Sequence, residues 1–458
     1  MLMKSKVSMA GTSFACSNVT TMRNYGGRPA AEIPQTSMKS SHLPKLLAIS
    51  MASFLALKTE ANGFALPDQD AFATARGEAV TATADNPSAI YYNPAGITQL
   101  EGYNVRVGLY ALDYQTSYQP PSSSSKAGHT YNEQNTFAAV PRAFLTFSPT
   151  NGPFSFGLGV YSPFGGNMSW PQDTGFRSVA LNGKLTYVTI NPVVAWKILP
   201  SLSIAAGPMV NYVDMTLDQG LIGSASPPNF FRFTGSGWSA GYNLGARWQP
   251  LEQLSFGATF RSPAKVTLDG QTDSQLRPPN VSTSPAQTDF TFPLSAVGGL
   301  SWRPTPKWNL EFDASYTDWS SFSSTTIHQS NPPRIVPHSD LLVTLDWQPS
   351  WMYEFGATRY FDSGWHVSGG YVFSGNSVPN SYYTPLASDM DRDFFSLGTG
   401  YQGRHLSFDI AYQFGYGPTH TVSGSQPSST PGNLAYQNAD GKYSFYSNAL
   451  SVSVGWHF

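Results

Sequence analysis

In the stretch "HLSFDIAYQFGYG", Leu406, Phe408, Ile410, Tyr412, Phe414 and Tyr416 are large and apolar, while Ser407, Asp409, Gln413 and Gly415 between them are small or polar. Side chains of a strand point alternately to opposite faces, so this is a strand with one greasy face and one wet face. The pattern returns in the final residues, where Leu450, Val452, Val454, Trp456 and Phe458 alternate with Ser451, Ser453, Gly455 and His457. It returns again in "WNLEFDASY", with Trp308, Leu310 and Phe312 set against Asn309, Glu311 and Asp313. In "SLSIAAGPMVNY" it sets Leu202, Ile204, Val210 and Tyr212 against Ser203, Ala205, Gly207 and Asn211. A soluble sandwich alternates in the same way, apolar side inward. Alternation alone therefore leaves two architectures open.

The connections choose between them. Short turns fall near 149–153, 199–201, 249–253, 303–307, 361–364 and 402–405. Long polar stretches fall near 119–136, 163–183, 215–236, 267–288, 320–340, 375–393 and 418–447. Short and long alternate strictly, and seven loops with six turns join fourteen strands, the first starting near Tyr103. Transmembrane barrels have an even strand count, tight turns on one side and long loops on the other. Trp196, Trp248, Trp302, Trp308, Trp351, Trp365 and Trp456 sit near strand ends, as interfacial girdles require. The pattern predicts an all-β chain, a 14-stranded antiparallel transmembrane β-barrel over 103–458. The last strand must pair with the first, because an open edge in lipid leaves backbone groups unsatisfied. An aromatic at Phe458 fits the sorting signal of bacterial outer-membrane barrels, so the expected location is the outer membrane of a Gram-negative bacterium.

Composition agrees. Charged residues are 12%, about half the usual share, and aromatics reach 14%. A net charge of −2 offers no basic surface for nucleic acid. No run of about 18 apolar residues exists, so no helix is expected to span a bilayer. The single Cys16 excludes a disulfide framework and a cysteine metal site. The eight histidines are scattered without H-E-x-x-H or paired spacing, so no metal site and no cofactor are expected.

The front of the chain reads differently. Residues 38–61 carry a basic start (Lys39, Lys45), an apolar stretch over 46–57 and small residues near Ala61. That is a secretory signal peptide, too short for a membrane span. Residues 1–37 are polar and patternless; a mis-assigned start codon accounts for them, and an organellar transit peptide is the alternative. Residues 62–102 are rich in Ala, Thr and Gly, with two Asn-Pro steps and no alternation. They are either a flexible extension or a plug folded into the lumen.

At this point the sequence resembles the FadL family of outer-membrane transporters for long-chain fatty acids and other hydrophobic compounds. The motifs are "GFAL", "ARGEAVTATADNPSAIYYNPAGI", "GVYSPFG", "TYVTINPVVAWKI", "TFRSPAKVTLDG", "FDASYTDWSSF" and "SDMDRDFFSLGTGY", in order over nearly all of 61–458. The resemblance implies an N-terminal plug, also called a hatch, over 62–102. It implies capture of cargo at a groove between loops, binding in the lumen, and sideways release through a gap beside a kinked third strand. Long-chain fatty acids are the default cargo, aromatic hydrocarbons the alternative within the family, and a monomer touching outer-membrane lipid is expected. Phe64 would line or occupy the deep pocket, and Asn93, Pro94 and Ala95 would sit by the lateral opening. Pro163, with two glycines after Phe164, stands where a strand must end or bend.

The third long loop carries Leu221, Ile222, Phe230, Phe231 and Phe233, either to line a ligand groove or to cover a neighbouring loop. Arg177 and Arg232 suit a carboxylate ligand, though an ordinary loop ion pair is the plainer reading. Asp389, Asp391 and Arg392 read as loop-fixing ion pairs. Gly237 to Gly241 match G-x-S-x-G around Ser239, but they run into a strand where a hydrolase needs a helix. Gly398, Gly400 and Gly403 match G-x-G-x-x-G with no helix after them. No catalytic residue is expected. A polar-solute porin remains the other channel reading, and it would favour charged rings in the lumen.

Overall fold

The computed structural model describes residues 63–150, 152–426 and 436–458. The expected leader over 1–37 and signal peptide over 38–61 lie outside the described residues. The barrel begins with β1 (Gly102–Gln119) and β2 (Phe137–Ser148). Next come β3 (Phe154–Tyr161, resuming as Gly165–Ser169), β4 (Asn182–Leu199), β5 (Leu202–Gln219) and β6 (Phe230–Leu251). Four broken strands follow: β7 (Leu254–Arg261 and Ala264–Gln275), β8 (Ser282–Phe292 and Ser295–Thr305), β9 (Trp308–Thr317 and Ser324–Gln329) and β10 (Asp340–Thr344 and Ser350–Tyr360). The wall ends with β11 (Trp365–Ser374), β12 (Arg392–Gln402), β13 (Leu406–Val422) and β14 (Gly441–His457). Every neighbour pairs antiparallel, and β14 pairs with β1 from Asn104↔His457 to Gln119↔Lys442, which closes the barrel.

The wall is inside out relative to a soluble protein. Along β14, Leu450, Val452, Val454 and Trp456 are 38–47% exposed, while Ser451 and Ser453 are buried. All seven girdle tryptophans named above are exposed. The greasy face therefore points to lipid, which excludes the sandwich.

Several expected loop bounds need correction, the seventh among them, which narrows from 418–447 to the stretch between Val422 and Gly441. The third loop was expected over 215–236, but β5 runs to Gln219 and β6 starts at Phe230. The fourth, expected over 267–288, shrinks in the same way between Gln275 and Ser282. The ladders continue past the lipid zone, where lipid no longer imposes the alternation that marks a strand in sequence.

Ahead of β1, the chain from Gly63 to Glu101 forms α1 (Ala71–Ala75), α2 (Ala89–Tyr92) and a 3-10 turn (Pro94–Gln99). Most of its side chains are buried against inner faces of the strands. Its irregular backbone needs partners, and the polar face of β9 supplies them. Asp313 accepts from the N–H groups of Val80 (2.9 Å) and Thr81 (2.8 Å), and Glu311 from Ala82 (2.7 Å) and Thr83 (3.0 Å). Buried ion pairs add to this: Arg76 with Glu311 at 3.1 Å, and Arg106 of β1 with Asp70 at 2.5 Å and Asp409 of β13 at 2.7 Å.

Candidate ligand cavity and wall gap

Five strands are broken, and four of the breaks hold a proline: Pro163 in β3, Pro263 in β7, Pro293 in β8 and Pro349 in β10. Proline donates no ladder hydrogen bond, so a central strand must stop or bend there. In β9 a short 3-10 turn (Trp319–Ser321) does the same, capped by the Asp318 carboxylate accepting from Ser320 N–H. These breaks deliver large aromatic side chains to the inside. Phe164, Phe292, Trp319, Phe322 and Trp347 all come from a break or its edge, and their rings surround Phe64 at centroid distances of 4.8–6.1 Å.

Phe64 is held there by three backbone links. Leu66 N–H donates to Pro163 O (2.8 Å), Gly165 N–H donates to Phe64 O (3.1 Å), and the buried Asp389 carboxylate accepts from Gly63 N–H (3.2 Å). Asp389 also accepts from Ser377 N–H and Oγ, so it ties the tail to the sixth loop. Burial pushes the Asp389 carboxyl above the ordinary carboxylate range, against the opposing charge of Arg392. Gly63 has φ +56°, and a Cβ there would meet Trp319 at 2.9 Å and Trp347 at 3.0 Å, so only glycine fits.

An apolar cavity opens above Phe64. It holds about 1240 Å³ of empty space, its open mouth included, and is walled by Met215, Leu217, Phe231, Phe233, Phe290 and Trp347 among others. A second cavity of about 1920 Å³, counted the same way, shares Phe64, Gly166, Lys184, Leu185, Leu386 and Ala387 with the first. Its far side is lined by Ala138, Ala139, Val140 and Pro141 of β2 and by Gly165 to Met168 of β3.

That far side is where the wall is incomplete. β2 pairs with β1 along its whole length, from Asp113↔Phe137 to Gly102↔Ser148. With β3 it pairs only from Ala143↔Val160 to Phe147↔Phe156. The second segment of β3 pairs with β4 and not with β2. Residues 137–142 of β2 thus face no ladder partner on that side. Above them Gln134 N–H donates to Ser169 O (2.8 Å) and Tyr114 Oη to Asn167 O (2.5 Å). The result is a window clasped at the top and sealed at the bottom, with the tail at Leu66 taking the carbonyl that Pro163 offers.

The residues singled out from sequence are distributed as follows. Phe64 lines both cavities. Phe231 and Phe233 lie on β6, buried, and line the apolar cavity. Leu221 is buried in the loop, Ile222 is half-buried, and Phe230 stacks on Arg232. The group is not an exposed apolar loop, because β6 turns Phe231 and Phe233 inward. Arg232 is held by Asp218 through two 2.7 Å hydrogen bonds. Arg177 donates to Ile222 O, Asn229 O, Asn229 Oδ1 and Gln172 Oε1. Asn93 donates to Thr81 O (2.8 Å) and Ala246 O (2.9 Å), Pro94 packs on Gly245 of β6, and Ala95 is buried beside them. That triplet does not line the cavity that reaches the window. Pro163 lines neither cavity but a third, smaller chamber that Glu78 also borders. Ser239 sits mid-strand in β6 and accepts from Asn211 Nδ2 (3.2 Å), and no helix follows it. Among the described residues no group of three or more His, Cys, Asp or Glu could hold a metal.

Sequence reasoning missed the aromatic cage, Lys184 and the acids of the lumen. The signal for the cage was present: an interior proline beside an aromatic, in Pro163-Phe164 and Phe292-Pro293.

The family model described as "Outer membrane protein transport protein (OMPP1/FadL/TodX)" matches residues 52–458. A long-chain fatty acid transport protein of Salmonella typhi is 22% identical over 380 residues, covering 75% of this chain and 84% of its own. The crystal structure of a Pseudomonas aeruginosa FadL homologue superposes with a TM-score of 0.75 at 19% identity, over 86% of this chain and 99% of its own. The Ralstonia pickettii toluene transporter TbuX gives a TM-score of 0.64 at 14% identity, over 87% and 99%.

Proposed function

Because this chain belongs to the outer-membrane transport family of FadL and TodX, we propose that it carries hydrophobic compounds, long-chain fatty acids foremost, into the outer membrane from outside. The observation that carries this reading is the continuity of the apolar cavity with the wall window through the shared Phe64, Gly166, Lys184 and Leu185. An apolar chain gains about 0.8 kcal/mol for each methylene it buries, so lipid beside the window is a better destination than water. Cargo enters at the loops, rests in the apolar cavity and leaves sideways between β2 and β3. The segment over 63–101 serves as the plug, and its buried ion pairs keep the lumen shut to large solutes. No hydrolysis is part of this reading, since Ser239 stands on a strand.

The toluene transporters among the structural neighbours favour a hydrocarbon as the second cargo. Lys184 separates the two. It is the one cation lining the apolar cavity, at the boundary with the second, and it is tied to no carboxylate among the described residues. An ammonium there suits a carboxylate head and does nothing for toluene. The test is oleate and toluene binding to the purified barrel, wild type and Lys184→Met. Oleate affinity is expected to fall about tenfold, the ~1.4 kcal/mol of a solvent-screened charge contact, with toluene unchanged. Toluene binding without any oleate binding would move the protein to the hydrocarbon reading.

A further inference from the structure

Glu78 follows Gly77, and both have left-handed backbone, φ +63° and +57°. Glycine adopts this freely, whereas a glutamate is held there by its surroundings. The turn sends the Glu78 side chain into the lumen. There it lines the cavity that reaches the window and also a smaller chamber, walled among others by Tyr91, Tyr161, Arg261 and Glu354. Its Oε2 accepts from Tyr92 Oη at 2.6 Å. Its Oε1 is buried, and the Asp68 carboxyl stands within hydrogen-bonding reach of the Glu78 side chain. Asp68 lines the window cavity beside it, with Oδ1 accepting from Gln413 Nε2 at 3.0 Å. Tyr92 accounts for one oxygen as a structural tie. It does not account for the second acid beside it: Glu78 and Asp68 together line the space that cargo crosses.

We propose that Glu78 receives the carboxylate head of a cargo molecule and neutralises it before the cargo leaves through the window. The inference rests on the fatty-acid reading above. The step is a single proton transfer: the proton on Glu78 moves to a carboxylate oxygen of the cargo, which departs as the neutral acid. The Glu78 carboxylate then takes a proton back from water. An ionised carboxylate is very costly to move into hydrocarbon, and a neutral acid far less so. Burial lifts the Glu78 carboxyl well above the ordinary range and the Asp68 charge lifts it further, so it keeps its proton more firmly than an exposed carboxyl does. The groups that face it are Asp68, Tyr91, Tyr92, Tyr110 and Arg142, with Arg261 and Glu354 across the smaller chamber; the charge of Arg142 opposes the shift.

The experiment measures delivery of oleate and of oleyl alcohol through the purified protein into liposomes from pH 6 to 9. Wild type, Glu78→Gln and Glu78→Asp are compared. Glu78→Gln is expected to slow oleate at least tenfold and oleyl alcohol less than twofold, and to flatten the fall of oleate delivery that wild type shows as pH rises. Glu78→Asp restores an acid and recovers part of the oleate rate. Oleate delivery by Glu78→Gln at the wild-type rate and pH profile overturns the proposal. So does an equal loss for both cargoes, which marks a structural role. Should Glu78→Gln fail to insert, an oleate-specific loss in Glu78→Asp supports the step and equal rates overturn it. Wild type that delivers the alcohol but not oleate removes the fatty-acid reading itself, and the proposal with it.

Discussion

Two seams of the same wall behave in opposite ways. Between β1 and β14 the ladder is unbroken over sixteen paired positions, Asn104↔His457 to Gln119↔Lys442. Between β2 and β3 it holds only five, Ala143↔Val160 to Phe147↔Phe156. The first seam joins the two ends of the barrel and leaves no backbone group for lipid to desolvate. The second is opened by Pro163, which stops β3 and lets its next segment lean on β4 and on the tail at Phe64 and Leu66. On the β3 side of the gap, protein from the inside, not lipid, takes the groups that Pro163 frees.

The largest expected effect tests that contrast with one substitution made on each seam. Val452 faces lipid in β14, whereas Val140 lines the window cavity from β2. Val452→Arg should cost about 2–4 kcal/mol, the penalty of an arginine near the bilayer midplane. Val140→Arg should change stability by less than about 1 kcal/mol, since a lumen position reaches water. Urea unfolding of the two variants in the same bilayer measures this. Equal losses would mean that the second seam is as sealed as the first.

A smaller effect concerns passage alone. Gly166 lies in β3 on the boundary of both cavities, and a Cβ there meets nothing within 4 Å. Gly166→Trp fills the route without touching the ladder. Oleate delivery should fall about tenfold, or ~1.4 kcal/mol on the rate, while the melting temperature stays put. Undiminished delivery would show that cargo does not take this path.

The contrast also explains what the sequence could tell. Fourteen strands and six turns were legible because lipid imposes a period of two on every span, as in Leu450 to Trp456. The family was legible from its ordered motifs. The reach of β5 and β6 above the membrane was not legible, because water on both sides erases the period. The cage around Phe64 was not legible either. Trp319, Phe322 and Trp347 point inward only because the breaks shift the phase of β9 and β10, and a phase shift is invisible until the strands are paired. Arg232 was legible as an ion pair but not its partner, since Asp218 sits across the ladder at Asp218↔Arg232.

The smallest effect sharpens the open seam at its upper edge. The clasp there depends on Gln134 N–H donating to Ser169 O, and the residue before it, Glu133, is buried. Burial raises the Glu133 carboxyl from 4.5 to about 8, against lowering by Tyr114 and two backbone N–H groups. Between those values the closed clasp holds a proton that an opened one releases. The contribution is therefore complete below about pH 4 and declines as pH rises toward 8. Amide exchange at Gln134, corrected for the chemical rate, should speed up between pH 5.5 and 8, while amides of Leu109 and Val452 in the closed seam do not respond. Glu133→Gln should make the Gln134 amide insensitive to pH as well. Equal pH dependence at both seams would mean that the window is held by something other than this buried acid.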